Sequence, residues 1–414
     1  MRRRICRWCE MIRYIEKLMF VWVSICVSMA CESRLLYLPQ NLGRLIRYPD
    51  SHCVAMSDRT CTDGNSLPHT HCTEQSLGAS QRKDTGGVIK TAMQIGLVMS
   101  STFSVSPPSA SAIKEKERLG YNPRNERIYD TYRKSFLPAH PEDFLTAELE
   151  RGGRQIVVVG EVHSNPCHHH AEFEILRTLQ DCYGSPDPFD TKDGVAIGLE
   201  CFYRQHQKAL DSFIFEHQNI GKLKAQTNWK ETWGFDLNYY AKIFKYAAQH
   251  KIRLVGLNIP IGVVQLVGEA GLQSLPESLR VLLPKIDLNN INHRKQFVGA
   301  ISGGGSVSHP SLSEERLQHL YEAQTLWEEY MSETCANYVK NYPGQKLMVI
   351  AGVGHVQGRY GIPDRIQART GAAPFVIVPQ VVEWSEDTGL PRVDKPLSYA
   401  DGDWGWYTEQ ELLP

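Results

Sequence analysis

The sequence predicts an α/β fold: a mostly parallel sheet covered by helices on both faces, with helical insertions. Three observations predict it. Five short runs are apolar throughout, namely Ile156–Val159, Val195–Leu199, Leu254–Leu257, Leu347–Ala351 and Phe375–Val378. Strands buried on both faces read this way, whereas a half-exposed antiparallel strand alternates. Helical segments separate the runs, as crossovers between parallel strands require. The chemically capable polar residues follow the runs, at the strand ends where open parallel sheets bind ligands.

The chain has 414 residues and a net charge of −1, which averages two unlike parts. Residues 1–112 carry +5 and seven of the 11 cysteines, while residues 113–414 carry −6. The first part reads as a targeting leader. Arg2, Arg3, Arg4, Arg7, Arg13 and Lys17 precede an apolar run from Leu18 to Ala30, which is short for a membrane span. Residues 32–90 lack periodicity and are rich in Ser, Thr, Arg and His, like a transit region. A second apolar stretch ends in Ala110-Ser111-Ala112, small residues that suit signal-peptidase cleavage. Two export-type signals around a transit-like stretch predict a plastid precursor bound for the thylakoid lumen. The alternative is a protein that is secreted, or membrane-anchored by its N-terminal segment. The mature form, from Ile113, is expected to hold no stable membrane span.

Residues 113–414 are expected to form one domain. Residues 113–150 read as polar and helical or irregular. The first run leads to a helix around Ala171–Leu179, and the second to a helix through Leu210 and Phe213. An amphipathic helix over 236–250 enters the third run, and 261–300 reads as short helices. After Gly303-Gly304-Gly305 comes the strongest helix, opening at Ser311-Leu312-Ser313-Glu314 as a capping box. Its apolar stripe (Leu317, Leu320, Tyr321, Trp327, Met331, Cys335 and Tyr338) is interrupted by Gln324. That amide faces either the site or an internal partner. The polar tail from Glu383, with isolated tryptophans, is expected to wrap the surface. Cys167, Cys182, Cys201 and Cys335 include no C-x-x-C pair and read as small buried apolar residues.

Four strand ends carry the candidate site: Gly160-Glu161-Val162-His163, Glu200, Asn258-Ile259-Pro260 and Gly352-Val353-Gly354-His355. Gly160, Gly352 and Gly354 permit sharp turns or close approach, and neither a phosphate loop nor a dinucleotide fingerprint is present. Two chemistries fit. His163, Glu200 and His355 can hold a divalent metal and activate water. Alternatively a histidine acts as general base, oriented by Glu161 and Glu200 without metal. Downstream lies Asn165-Pro166-Cys167-His168-His169-His170, followed by Glu172 and Glu174. Pro166 suits a first helical turn. Successive helical residues point about 100° apart, so one or two of the histidines face the site. His168 and His169 are the candidates for ligand or substrate contact, and His170 is expected at a solvated helix start. The acidic body has no basic stripe, which argues against nucleic acid as a partner.

In this order, these blocks, with Ile197-Gly198-Leu199-Glu200-Cys201-Phe202, Trp229, Trp233-Gly234, and Tyr321-Glu322-Ala323-Gln324 with Trp327, resemble the ChaN-like haem-binding uptake family of the Tiki superfamily. The resemblance covers roughly 125–410. Its pattern of two G-x-x-H motifs and a glutamate falls on Gly160/His163, Gly352/His355 and Glu200. It implies a Tiki/ChaN-like fold and a protein of haem, tetrapyrrole or iron handling, with tyrosine ligation in a homodimer. Gly160, His168, His169, Asn258, Gln324, Gly352 and Gly354 would then surround the cofactor. Tyr203, Tyr239, Tyr240 and Tyr360 are the tyrosines in question. The superfamily also includes erythromycin esterases and metal-dependent proteases. A hydrolase using Glu161, His163, Glu200 and His355 on a small hydrolysable substrate is therefore the second reading, and an inactive scaffold the third.

Overall fold

The computed structural model describes residues 126–137, 141–185, 187, 193–301, 313–385 and 387–409. The leader and the Gly303-Gly304-Gly305 loop lie outside the described residues. Among these, no helix is long and apolar enough to cross a membrane.

The five expected strands form as β3 (Ile156–Glu161), β4 (Val195–Tyr203), β5 (Arg253–Asn258), β6 (Lys346–Gly352) and β7 (Phe375–Val382). They lie in the order β7-β3-β6-β4-β5, every pair parallel. Helices cover both faces, as the unbroken apolar runs require. On one face Val157, Ile197, Met348 and Ile377 meet α1 (Pro141–Arg151), α2 (Pro166–Tyr183), α3 (Gln207–Phe215) and others. That group includes α4 (Ile220–Gln226), α5 (Trp229–Thr232) and α6 (Ala241–His250). On the other face Val158, Ala196, Val349 and Val376 meet the long α10 (Glu314–Asn341) and α11 (Ile362–Thr370). Between β5 and α10 the chain forms α7 (Ile261–Ala270), α8 (Glu277–Arg280) and α9 (Ile291–Ile301), the expected short helices.

Three expectations about elements change. Residues 113–150 were expected to be helical or irregular, but they supply β1 (Glu126–Asp130) and β2 (Ser135–Phe136) ahead of α1. These strands are too short for a period of two to show in sequence. The tail does not simply wrap the surface. Trp404–Glu409 forms β10, which lies parallel to β7 and antiparallel to β1, with Trp404 and Trp406 buried. Gly405 and Thr408 break the apolar run that would have marked it as a strand. Finally, α10 is capped by Ser313, whose side chain accepts the Arg316 N–H, and Ser311 of the expected capping box lies outside the described residues. The minor strands β8 (Trp384–Ser385) and β9 (Leu390–Pro391) pair separately.

Among the cysteines, Cys167, Cys201 and Cys335 are buried as expected, but Cys182 is exposed. It lies in the last turn of α2, where its sulfur accepts a hydrogen bond from Thr146 Oγ1.

One irregularity matters for the site. The β4–β5 register shifts between Leu199 and Tyr203, the interval that contains Glu200. A Cβ on Gly256 would collide with the Tyr203 carbonyl oxygen, so a side chain there would prevent this close approach. Such a break in a ladder re-aims side chains, and Glu200 turns toward β6.

Candidate functional site

Parallel registry places the site residues on one edge. Glu161, the last residue of β3, pairs with Gly352, the last of β6, and β4 flanks β6 on its other side. Glu161 and Glu200 therefore stand on either side of Gly352.

Two histidine–carboxylate pairs converge there. His163 Nδ1 lies 2.7 Å from Glu161 Oε1, which also accepts the Tyr240 hydroxyl at 2.6 Å. His355, on the turn after β6, sets Nδ1 3.2 Å from Glu328 Oε1 and Nε2 3.5 Å from Glu200 Oε1. The other Glu200 oxygen accepts the Gly352 N–H at 2.6 Å. Gln324 does face this site: its amide nitrogen lies 2.7 Å from Glu328 Oε1 and 3.0 Å from His355 Nδ1. Glu161, Glu200 and His355 are buried, whereas the His163 side chain is 22% exposed. The open side of the cluster is thus at His163, whose ring is flanked by Trp233 at 4.6 Å and Phe235 at 4.9 Å. Trp327 lies edge-on to His355 at 5.2 Å.

The glycines have distinct roles. A Cβ on Gly352 would lie 3.0 Å from His163 Cε1, 3.2 Å from its Nε2 and 3.4 Å from Glu200 Oε2, so the missing side chain lets the two motifs meet. Gly352→Ala is expected to push the His163 ring away from Glu161, at a stability cost of about 1–3 kcal/mol. The check is the imidazole nitrogen spectrum: an unchanged His163 resonance would refute the contact. Gly160 packs β3 on Val353, and Gly354 lies in the turn Val353–His355.

Other expected residues are committed elsewhere. Asn258 donates to the Glu200 carbonyl at 2.9 Å and accepts the Ile259 N–H, so it clamps strand ends. Asn165 caps α2 and Pro166 opens it, as expected. His168 accepts the Val162 N–H at 3.0 Å; burial first, then the charge of His169, pushes its pKa down to about 3. It is a neutral brace for the first motif. His169 lies 2.9 Å from Glu172 Oε2 and 3.3 Å from Glu161 Oε2. His170 is not solvated. It is buried, 3.4 Å from Glu126, because the unexpected β1 brings Glu126 over α2. Among the described residues, the trio of ligand atoms found within 4.8 Å of one another is Glu161, His169 and Glu172, a different set from the expected His163, Glu200 and His355.

Residues without an assigned role in the sequence complete the cluster. Glu328 Oε2 meets His293 Nε2 and Arg365 Nη1, each at 3.2 Å, and Arg365 also approaches Glu329. Gln324 and Glu328 share a helix face one turn apart, a polar pair within an apolar stripe and the one signal that could have revealed Glu328. His293 and Arg365 come from α9 and α11 and have no local signature.

The field of these carboxylates acts on His355. Burial would lower its pKa, but the charge and hydrogen bonding of Glu200 and then of Glu328 raise it to about 9. Unfolded, it titrates near 6.5. Its contribution to stability is therefore complete below about 6.5 and is lost as pH rises through about 9, on the order of 3 kcal/mol. Besides Glu200 and Glu328, Gln324 faces this ring, while His293 and Arg365 reach it through Glu328. Thermal midpoints between pH 6 and 10 should fall, and less steeply in His355→Gln; equal slopes would refute the coupling.

A parallel sheet covered on both faces, with two G-x-x-H turns gathered around glutamates at its carboxyl edge, defines an α/β protein of the Tiki type. The profile of the haem-binding uptake family ChaN, Tiki superfamily, matches residues 149–366, and the chain belongs to that family. The match spans every site residue from Glu161 to Arg365. No curated protein sequence matches. The solved structure of Campylobacter jejuni ChaN, described as showing cofacial haem binding, is similar with a TM-score of 0.53 and 18% identity. The alignment covers 69% of this chain and 98% of that one. The type III effector HopBA1 aligns at TM-score 0.38 and 12% identity over 66% of this chain and 94% of its own. The erythromycin esterase EreC aligns at 0.34 and 14% over 64% and 81%.

Proposed function

We propose that the protein binds haem or a related tetrapyrrole at this edge, and that it acts in haem or iron handling. The observation that carries this reading is the family match, which spans the whole site. The donor chemistry fits. With Nδ1 held by Glu161, the His163 ring, 22% exposed, keeps Nε2 as its second ligand atom. Trp233 and Phe235 pack beside His163 and supply apolar surface next to it. Bound haem would supply an iron centre that an imidazole or phenol side chain would hold. Among the tyrosines, the Tyr240 hydroxyl is held by Glu161, and that of Tyr203 accepts the Ile261 N–H. Half-buried Tyr239 and Tyr360 remain as the candidate ligands.

Hemin titrated into the full chain is expected to give a shifted Soret band at micromolar protein, weakened in His163→Ala or in one of Tyr239→Phe and Tyr360→Phe. No shift would overturn the reading. The cofacial haem of Campylobacter ChaN suggests a homodimer, expected as a hemin-dependent doubling of mass in light scattering. A plastid-lumen setting belongs to the same proposal, and a mature N-terminus at Ile113 in the native host would support it.

A second reading rests on one specific observation. His355 is held as a cation, with Nε2 against Glu200 and Nδ1 against Glu328, an arrangement suited to a general acid in hydrolysis. Ester hydrolysis lost in His355→Gln, with hemin binding retained, would select it.

A further inference from the structure

Behind the open histidine lies a second cluster that shares only Glu161 with the first. We propose that Glu161, His169 and Glu172 form a buried site for a divalent transition-metal ion.

Three observations carry it. Their ligand atoms lie within 4.8 Å of one another and all three residues are buried. Bond lengths of about 2.0–2.2 Å to imidazole and carboxylate place neighbouring ligands about 3–4 Å apart, so a small contraction would close the site. The tautomer is also set for ligation. His169 Nε2 lies 3.0 Å from the His163 carbonyl oxygen, which can only accept, so Nε2 carries the proton. Nδ1, which faces both glutamates, is then the nitrogen that gives up its proton to a metal. A backbone acceptor on the remote nitrogen is the usual support of a metal-bound histidine. Finally, carboxylate capacity is left over. Glu161 Oε1 is used by His163 and Tyr240, but Glu161 Oε2 and Glu172 Oε1 are buried without a hydrogen-bond partner.

Two carboxylates and a ring nitrogen facing one another out of water require a cation between them. Without metal, protons fill that role: Glu161 and Glu172 hold His169 protonated, and burial and Glu161 push the Glu172 carboxyl toward its protonated form. A dication neutralises both carboxylates and displaces those protons to solvent. One imidazole and two carboxylates suit Mn²⁺, Fe²⁺ or Zn²⁺. Half-buried Tyr239 stacks on His169 at 5.4 Å. Since Glu161 also holds His163, the ion would sit one carboxylate away from the open edge.

The test uses the full chain, stripped by chelator and free of a Soret band, then equilibrated separately with Mn²⁺ and Zn²⁺ and dialysed. About one equivalent of metal per chain is expected by elemental analysis, together with a raised thermal midpoint. Glu172→Gln is nearly isosteric and removes a charge from the cluster, so its metal-free midpoint should stay within a few degrees of wild type, while affinity falls at least tenfold. Glu172→Asp should keep part of the affinity, and His355→Gln all of it. Three results would overturn the site: no metal retained by wild type, equal retention in Glu172→Gln, or loss in His355→Gln but not in Glu172→Gln. Hemin titration is read separately, so failure of the haem proposal leaves this result intact.

Discussion

Trp404→Ala is expected to destabilise the protein by about 3–5 kcal/mol, the usual cost of emptying a core aromatic site. Trp404 is 1% exposed and packs edge-to-face on Phe375 at 5.0 Å. It also opens β10, whose backbone joins β1 to the parallel sheet through pairs on both sides. Asp403, just before it, accepts the Val376 N–H and meets Arg154 and Arg359, so the strand start is fixed by charge as well as packing. Urea denaturation should show a lower midpoint with an unchanged slope. Tyr132→Ala, at a ring that is 82% exposed, should stay within about 0.5 kcal/mol of wild type. Comparable midpoints for the two variants would mean that the C-terminal segment is peripheral to the core.

Glu328→Ala is expected to cost a similar amount, about 3–5 kcal/mol, by another mechanism. Glu328 is fully buried and takes charge or hydrogen bonds from His293, Arg365, His355 and Gln324. Burial alone would raise its pKa. The charges of His293 and Arg365, then hydrogen bonds from His293 and His355, hold it well below the ordinary carboxylate range. Removing one partner of a buried ion pair costs far more than the pair contributes, because the remaining charge stays desolvated. Arg365 keeps a contact with Glu329, but Glu329 already serves Arg369. His355 would lose the acceptor that orients Nδ1. The variant should therefore lower both the urea midpoint and any activity that depends on His355, whereas Glu328→Gln should recover part of the stability. A Glu328→Ala midpoint within 1 kcal/mol of wild type would show that the network is not structurally coupled.

Legibility in the sequence followed the range of the interactions involved. Glu161, His163, Glu200 and His355 could be placed on one edge because each follows an apolar run, and parallel pairing forces such ends together. Gln324 was visible as a polar break in a helical stripe. His293 and Arg365 were not, because nothing within their own helices distinguishes a charge aimed at Glu328 from a solvated one. His170 was misplaced for the same reason: whether a helix start is wet depends on what lies over it, here β1. Trp404 and Trp406 looked isolated because a six-residue strand with a glycine inside carries little periodicity.

By itself, then, the sequence determined the α/β class, the five parallel strands and the edge where the chemistry gathers. Those follow from periodicity and strand direction, which are local properties of the chain. Only the tertiary structure decided which oxygen of Glu161 holds His163 and which is left facing His169. It also decided that Glu328 rather than solvent meets His355, and that the last strand is core. Each of these depends on residues far apart in the chain arriving within hydrogen-bond distance, and that distance is set by packing.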